Sequence, residues 1–217
     1  MKLTSLKLAL LTFAALQTLP AQGPASELEF GALGLISSYN SVAVEGPAGA
    51  GKVGPGLGFS GGMALGQSLG RRWGGELRYL YFQNDLKLKS GGQEATLKGA
   101  AHAIHYDVLY YFSDLDSRVR PYVAGGFGVK RYEGRGTEDP FQPLGDLALL
   151  TKTSQVKPAA DFGFGVKFRV TKRAIFRVEF RDYISGTPNE VIAAAPGAKI
   201  DKLLHQWAPL VGVTWTW

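Results

Sequence analysis

The 217-residue chain is long enough for one domain with a full core, and a composition that is 45% hydrophobic and 12% aromatic excludes disorder. Its charged fraction is only 19%, its formal net charge is +6, and no run of five or six like charges provides the basic tail of a nucleic-acid binder. The absence of cysteine excludes disulfides, thiolate metal sites and a lipid-modified N-terminal Cys, and it lets the chain enter an oxidising compartment without mispairing.

The first element has the pattern of a Sec-type signal peptide. Lys2 and Lys7 make a positive start, Leu8 to Leu16 (LALLTFAAL) a short apolar run, and LPAQGPAS the small residues that precede cleavage. The alternative, a membrane anchor, would need roughly 20 apolar residues. Residues 1–25 are therefore expected to be removed, after Ala21 or Ala25, leaving residues 26–217 as the mature domain. A chain starting at Ser26 keeps 22 basic and 18 acidic residues.

From there the period is two rather than 3.6. LEFGALGLIS is a first strand whose faces its bland composition does not distinguish. In LGFSGGMAL, Leu57, Phe59, Met63 and Leu65 share one face. In WGGELRYLY, Trp73, Leu77, Tyr79 and Tyr81 oppose Glu76 and Arg78. AIHYDVLYYF sets Ile104, Tyr106, Val108, Tyr110 and Phe112 against His105, Asp107, Leu109 and Tyr111. PYVAGGFGV sets Val123, Phe127 and Val129 against Tyr122, Ala124, Gly126 and Gly128. ADFGFGVKFRV sets Phe162, Phe164, Val166, Phe168 and Val170 against Asp161, Gly163, Gly165, Lys167 and Arg169. IFRVEFRDY sets Phe176, Val178 and Phe180 against Arg177, Glu179 and Arg181. The terminus sets Trp207, Val211, Val213, Trp215 and Trp217 against Gln206, Ala208, Gly212, Thr214 and Thr216. These are eight strands in all.

Connections alternate long and short. Residues 39–55, NDLKLKSGGQEAT, 133–155 and 185–204 are long; SLGRR, SDLDSRV and TKR are short. That is the pattern of an all-β, eight-stranded antiparallel up-and-down transmembrane β-barrel with short inner turns and four long outer loops. Eight strands leave a lumen that side chains just fill. A lipocalin-type barrel would place the apolar face inside, but eight strands of large aromatics do not fit so narrow a lumen. The aromatic face is therefore expected to meet lipid. The face carrying Gly and charges is expected to line the interior, with Glu76, Asp107, Asp161 and Glu179 against Arg78, Lys167, Arg169, Arg177 and Arg181. Four acids and five bases nearly neutralise one another, and a structural salt-bridged plug is favoured over a conduction path or catalytic dyad.

With these patterns the chain resembles the OmpA/OmpX-type outer-membrane barrels, the outer membrane beta-barrel domain group. The resemblance runs from about Leu28 to Trp217 and rests on the strand order, on RPYVAGGFGV, on FRVEFRDY and on the last strand. It implies residence in the bacterial outer membrane, with lipid and lipopolysaccharide as surroundings. It also implies contact with the barrel-assembly machinery, which in this group reads an alternating apolar strand ending in an aromatic. Val213, Trp215 and Trp217 match that signal, although the usual last residue is Phe. The chain is expected to end at the barrel, without the periplasmic peptidoglycan-binding domain of full OmpA-type proteins.

Other chemistry is weak. In VAVEGPAGAGKVG, Gly46, Gly51 and Lys52 fit a P-loop, but Val53 stands where the magnesium-ligating Ser/Thr belongs and no helix follows, so an outer loop is the better reading. Among the histidines, none has a metal-ligand spacing. His105 is expected to join the lumen network and His205 to begin the last strand. His102 falls on the lipid-facing parity near the outer rim, where lipid A deacylases keep a His–Ser pair, yet no serine accompanies it in its strand. Loop Lys and Arg face solvent or lipopolysaccharide phosphate. The reading is a monomeric, cofactor-free, non-enzymatic barrel with a structural or surface-interaction role. A narrow porin-like channel, a lipid A-modifying enzyme and a soluble secreted barrel remain as alternatives.

Overall fold

The computed structural model describes residues 27–139 and 141–217, so the proposed signal peptide lies outside the described residues. Fourteen strands form among the described residues. They are β1 (Leu28–Tyr39), β2 (Val42–Gly46), β3 (Gly49–Pro55), β4 (Gly58–Ser68), β5 (Trp73–Gln83), β6 (Leu86–Ser90), β7 (Gln93–Tyr111), β8 (Val119–Arg135), β9 (Ala148–Leu150), β10 (Ser154–Arg169), β11 (Ala174–Gly186), β12 (Ile192–Ala194), β13 (Lys199–Ile200) and β14 (Leu203–Thr216). None of the described residues forms a helix long and apolar enough to cross a membrane.

Eight of these strands close the barrel in chain order, β1-β4-β5-β7-β8-β10-β11-β14, every pair antiparallel. Closure joins the first and last described strands, β1 and β14: Phe30 pairs with Trp215, and Leu28 and Trp217 exchange backbone hydrogen bonds of 3.3 and 3.2 Å. A frayed last strand would leave those amides unpaired facing lipid, where water cannot satisfy them. The alternating terminus is thus the seam of the barrel.

Outward side chains are the large apolar ones, as the parity requires. Phe127, Phe162, Phe164, Val178, Val211 and Trp215 are all exposed on the barrel wall. Near the inner turns Trp73 and Tyr110 meet edge to face, ring centres 5.0 Å apart, in the aromatic belt typical of a membrane interface. The first strand acquires its faces from pairing: Phe30 and Ile36 point out, while Glu29, Leu33 and Leu35 point in.

The long outer connections are where the structure departs from the sequence reading. Two of them are paired hairpins, and the other two carry the short paired strands β9, β12 and β13 between turns. VAVEGPAGAGKVG forms the hairpin β2–β3, with no helix for a phosphate loop to open. NDLKLKSGGQEAT forms the hairpin β6–β7, turned by Gly91 and Gly92, whose φ angles of +55° and +81° suit glycine. The four outer segments also join one another. β13 pairs with β2, β3 with β6, and β7 with β8, while β12 and β9 pair as a two-stranded sheet of their own, so the four outer segments are linked one to the next in a ring above the barrel that is not a single closed sheet.

Inside that ring the chemistry is apolar. Val42, Val44, Val53, Leu86, Leu88, Leu97, Leu147, Leu150, Ile192 and Leu204 pack with Leu33, Leu35, Leu80, Phe82 and Tyr132 of the upper barrel in one buried cluster. The expectation of a Gly-and-charge lumen therefore holds for the membrane half only. Strands leaving the membrane have water on their outer face, so their apolar side chains turn inward as in a soluble protein.

Candidate functional site

The membrane half of the lumen is filled by the charges singled out from the sequence. Arg78, Arg177 and Arg181 are fully buried, as is Asp107, and Glu76, Asp161, Lys167 and Glu179 are at most 5% exposed. Their strand registers explain the convergence. Glu76 pairs with Asp107 across β5–β7, and Asp107 faces Gly126, which in turn faces Asp161. On β11, Arg177, Glu179 and Arg181 alternate inward beside Lys167, Gly165 and Gly163.

Each arginine bridges several acids. Arg78 meets Glu76, lies 3.2 Å from Asp107 and 2.8 Å from Glu179. Arg177 lies 2.6 Å from Glu76 and 3.1 Å from Glu179. Arg181 lies 2.6 Å from Asp161, 3.0 Å from Glu179 and 3.2 Å from Asp107. The pairs cross the lumen between β5 and β11, tying opposite walls together. Burying such ions costs several kcal/mol each, and only this mutual pairing offsets it.

Space for the plug comes from small residues on the neighbouring strands. A Cβ at Gly126 would stand 2.0 Å from Asp107 Oδ1 and 2.5 Å from Asp161 Oδ1. His105 joins as expected, its Nδ1 2.7 Å from Asp107 and 3.2 Å from Asp161. These three residues were not grouped by the sequence reading, because Asp161 is distant in the chain and only strand pairing brings it near. Their ligating atoms lie within 4.8 Å of one another, the spacing of a metal cage. Arg181 already supplies a cation there, touching both carboxylates, so the three residues belong to the ion network.

Arg169, assigned to the same network, sits apart at the inner rim. Its guanidinium forks onto Glu27 with two 2.9 Å hydrogen bonds, and these hold the Glu27 carboxyl below its ordinary range. The network has members that sequence reasoning missed. Glu29 binds Lys167 and lies 3.6 Å from Arg177; its only signal was a lone acid between Leu28 and Phe30. Arg120 stacks 3.8 Å over the Tyr111 ring. Lys130 marks the top of the polar half, donating to Tyr39 Oη (2.7 Å) and to Gln206, with Phe82 and Tyr132 around it. It follows Val129 in the alternation, on the parity of Gly126 and Gly128.

The other two histidines lie outside the lumen. His102 faces outward at the rim, Nδ1 2.8 Å from Tyr79 Oη and Nε2 3.4 Å from Arg135. His205, in the third position of β14, places Nδ1 2.8 Å from Asp182 on β11. Val213, Trp215 and Trp217 all project outward.

Comparisons with known proteins agree with this architecture. The family described as outer membrane protein beta-barrel domain matches residues 8–202. Among solved structures, the outer membrane protein OprG of Pseudomonas aeruginosa is 14% identical with a TM-score of 0.58, covering 90% of this chain and 97% of its own. Neisserial surface protein A is 15% identical with a TM-score of 0.53, covering 88% of this chain and 96% of its own. A major outer membrane protein of Thermus thermophilus is 14% identical with a TM-score of 0.53, covering 89% and 100% respectively. At these identities the likeness is one of fold. No curated protein sequence matches the chain.

Proposed function

The chain belongs to the outer membrane protein beta-barrel domain family of the bacterial outer membrane, and from that premise we propose that it is a sealed structural barrel that holds a folded outer domain at the cell surface. The observation that carries this reading is the filled interior. A cross-linked ionic plug occupies the membrane half, and an apolar core closes the outer half above it. An ion entering such a lumen would have to break paired buried charges and then cross a dehydrated apolar layer, and both steps are unfavourable by several kcal/mol. In this reading the protein is not a porin-like channel and not an enzyme, and surface interaction is carried by the outer ring. Val213, Trp215 and Trp217 serve the barrel-assembly machinery during insertion; Trp217→Ala is expected to lower the yield of folded barrel in outer membranes, and unchanged yield would remove that role.

Planar-bilayer recording tests the seal. The purified barrel is expected to give no channel openings. Steady unitary openings that persist after repurification would overturn the proposal in favour of a narrow solute channel.

A further inference from the structure

On the outward wall, β7 and β8 run together from the lipid-facing band into the rim. Successive pairs are Tyr106 with Phe127, Ile104 with Val129, His102 with Arg131, Ala100 with Glu133 and Lys98 with Arg135. Within two residues, about 7 Å of strand, the surface changes from apolar to cationic. A groove of about 240 Å³ lies at this change, lined by His102, Ile104, Val129, Arg131, Glu133 and Val156. Ile104, Val129 and Val156 form its floor and are half-exposed on the wall.

Its upper edge is built rather than loose. Glu133 lies 3.2 Å from Arg131 and 2.8 Å from Arg135, so one carboxylate fixes two guanidiniums. Arg131 also donates to Ser154 (3.3 Å), and Arg135 donates to Tyr81 Oη (2.8 Å). Lys98 pairs opposite Arg135. Three cations against one anion leave this edge positive. On β11 and β14 the rim instead presents Asp182 beside His205, 2.8 Å apart.

We infer that this groove holds the lipid A moiety of lipopolysaccharide, an acyl chain lying on Ile104, Val129 and Val156 and a glucosamine phosphate bound by Arg131 and Arg135. The charge complementarity selects the occupant: an anion directly above acyl chains meets guanidiniums directly above an apolar floor. Guanidinium forks suit phosphate oxygens, and the free edges of Arg131 and Arg135 remain about half exposed, at 56% and 44% of the side chain. The inference rests on the outward placement of this rim in the proposed function.

The test uses the full mature barrel in nanodiscs, titrated with diphosphoryl lipid A, monophosphoryl lipid A and phosphatidylglycerol, with binding read by native mass spectrometry. Diphosphoryl lipid A is expected to bind in preference to the other two. The double variant Arg131→Gln, Arg135→Gln should weaken it about tenfold, as loss of two charge-assisted contacts implies, while Arg72→Gln at an inner turn should not. Equal binding of phosphatidylglycerol, or wild-type affinity in the double variant, would overturn the assignment. Retained heat-modifiable gel mobility in the variant separates loss of this site from failure of the barrel itself.

Discussion

The two halves of this barrel have opposite interiors. In the membrane half the wall is aromatic and aliphatic, and the inside is charged; in the outer half Lys87, Lys89, Glu94, Thr96 and Lys98 lie on the outside, and the inside is leucine, valine and isoleucine. The strand geometry is continuous between them, since β7 runs through both. What changes is the solvent. Lipid accepts the apolar face and forces the polar one inward, whereas water does the reverse. The reversal therefore locates the outer membrane boundary, between the pair Ile104–Val129 and the pair Lys98–Arg135.

The sharpest way to break the comparison is to remove one charge from the lower half. Arg177→Leu would leave Glu76 and Glu179 short of a partner in a buried site, and it should cost about 4 kcal/mol in urea unfolding from lipid vesicles. A loss below about 1 kcal/mol, the range of exposed pairs, would mean the plug is hydrated. In the outer half Leu88→Ala removes a fully buried side chain. It should cost about 3 kcal/mol and loosen amide exchange in β2, β3 and β6, while the membrane strands stay protected. Global loosening would show that the two halves are one cooperative unit. Gly126→Ala puts a methyl group against Asp107 and Asp161. The crowding should cost about 1–2 kcal/mol, and neutral stability would show that the carboxylates can move apart.

The smallest effect concerns the outer hairpin. Lys89 and Lys87 bind Glu94 and lower its carboxyl from 4.5 to about 2. A depressed folded value means any stabilisation is present above the unfolded carboxyl range and lost as pH falls toward 2. Because the group lies on the exposed face, the check is its NMR titration rather than stability. A midpoint near 4.5 would show that the lysines are not held there.

Much of this was legible in the sequence. Period-two alternation gave the eight barrel strands, and the size difference between the faces placed Phe162 and Phe164 outside and Asp161 and Lys167 inside. The ion network was legible as a set, but its partners were not, because strand pairing rather than sequence spacing brings Glu29 to Lys167 or His105 to Asp161. The outer ring was read as loops for a physical reason. LKLKS and VAVEG alternate as strands do, but with charges on the face that a membrane strand gives to aromatics. They lack a lipid-facing signature because they never meet lipid.

The most direct measurement is a spin-label scan along the outward face of β7, with Tyr106→Cys, Ile104→Cys, His102→Cys, Lys98→Cys and Thr96→Cys each labelled in bilayers and probed with oxygen and a water-soluble nickel chelate. The two interiors predict that oxygen reaches 106 and 104, the chelate reaches 98 and 96, and the crossover falls at 102. Lipid contact at 96, or water at 104 and 106, would contradict the placement of the boundary and the reversal of faces that defines it.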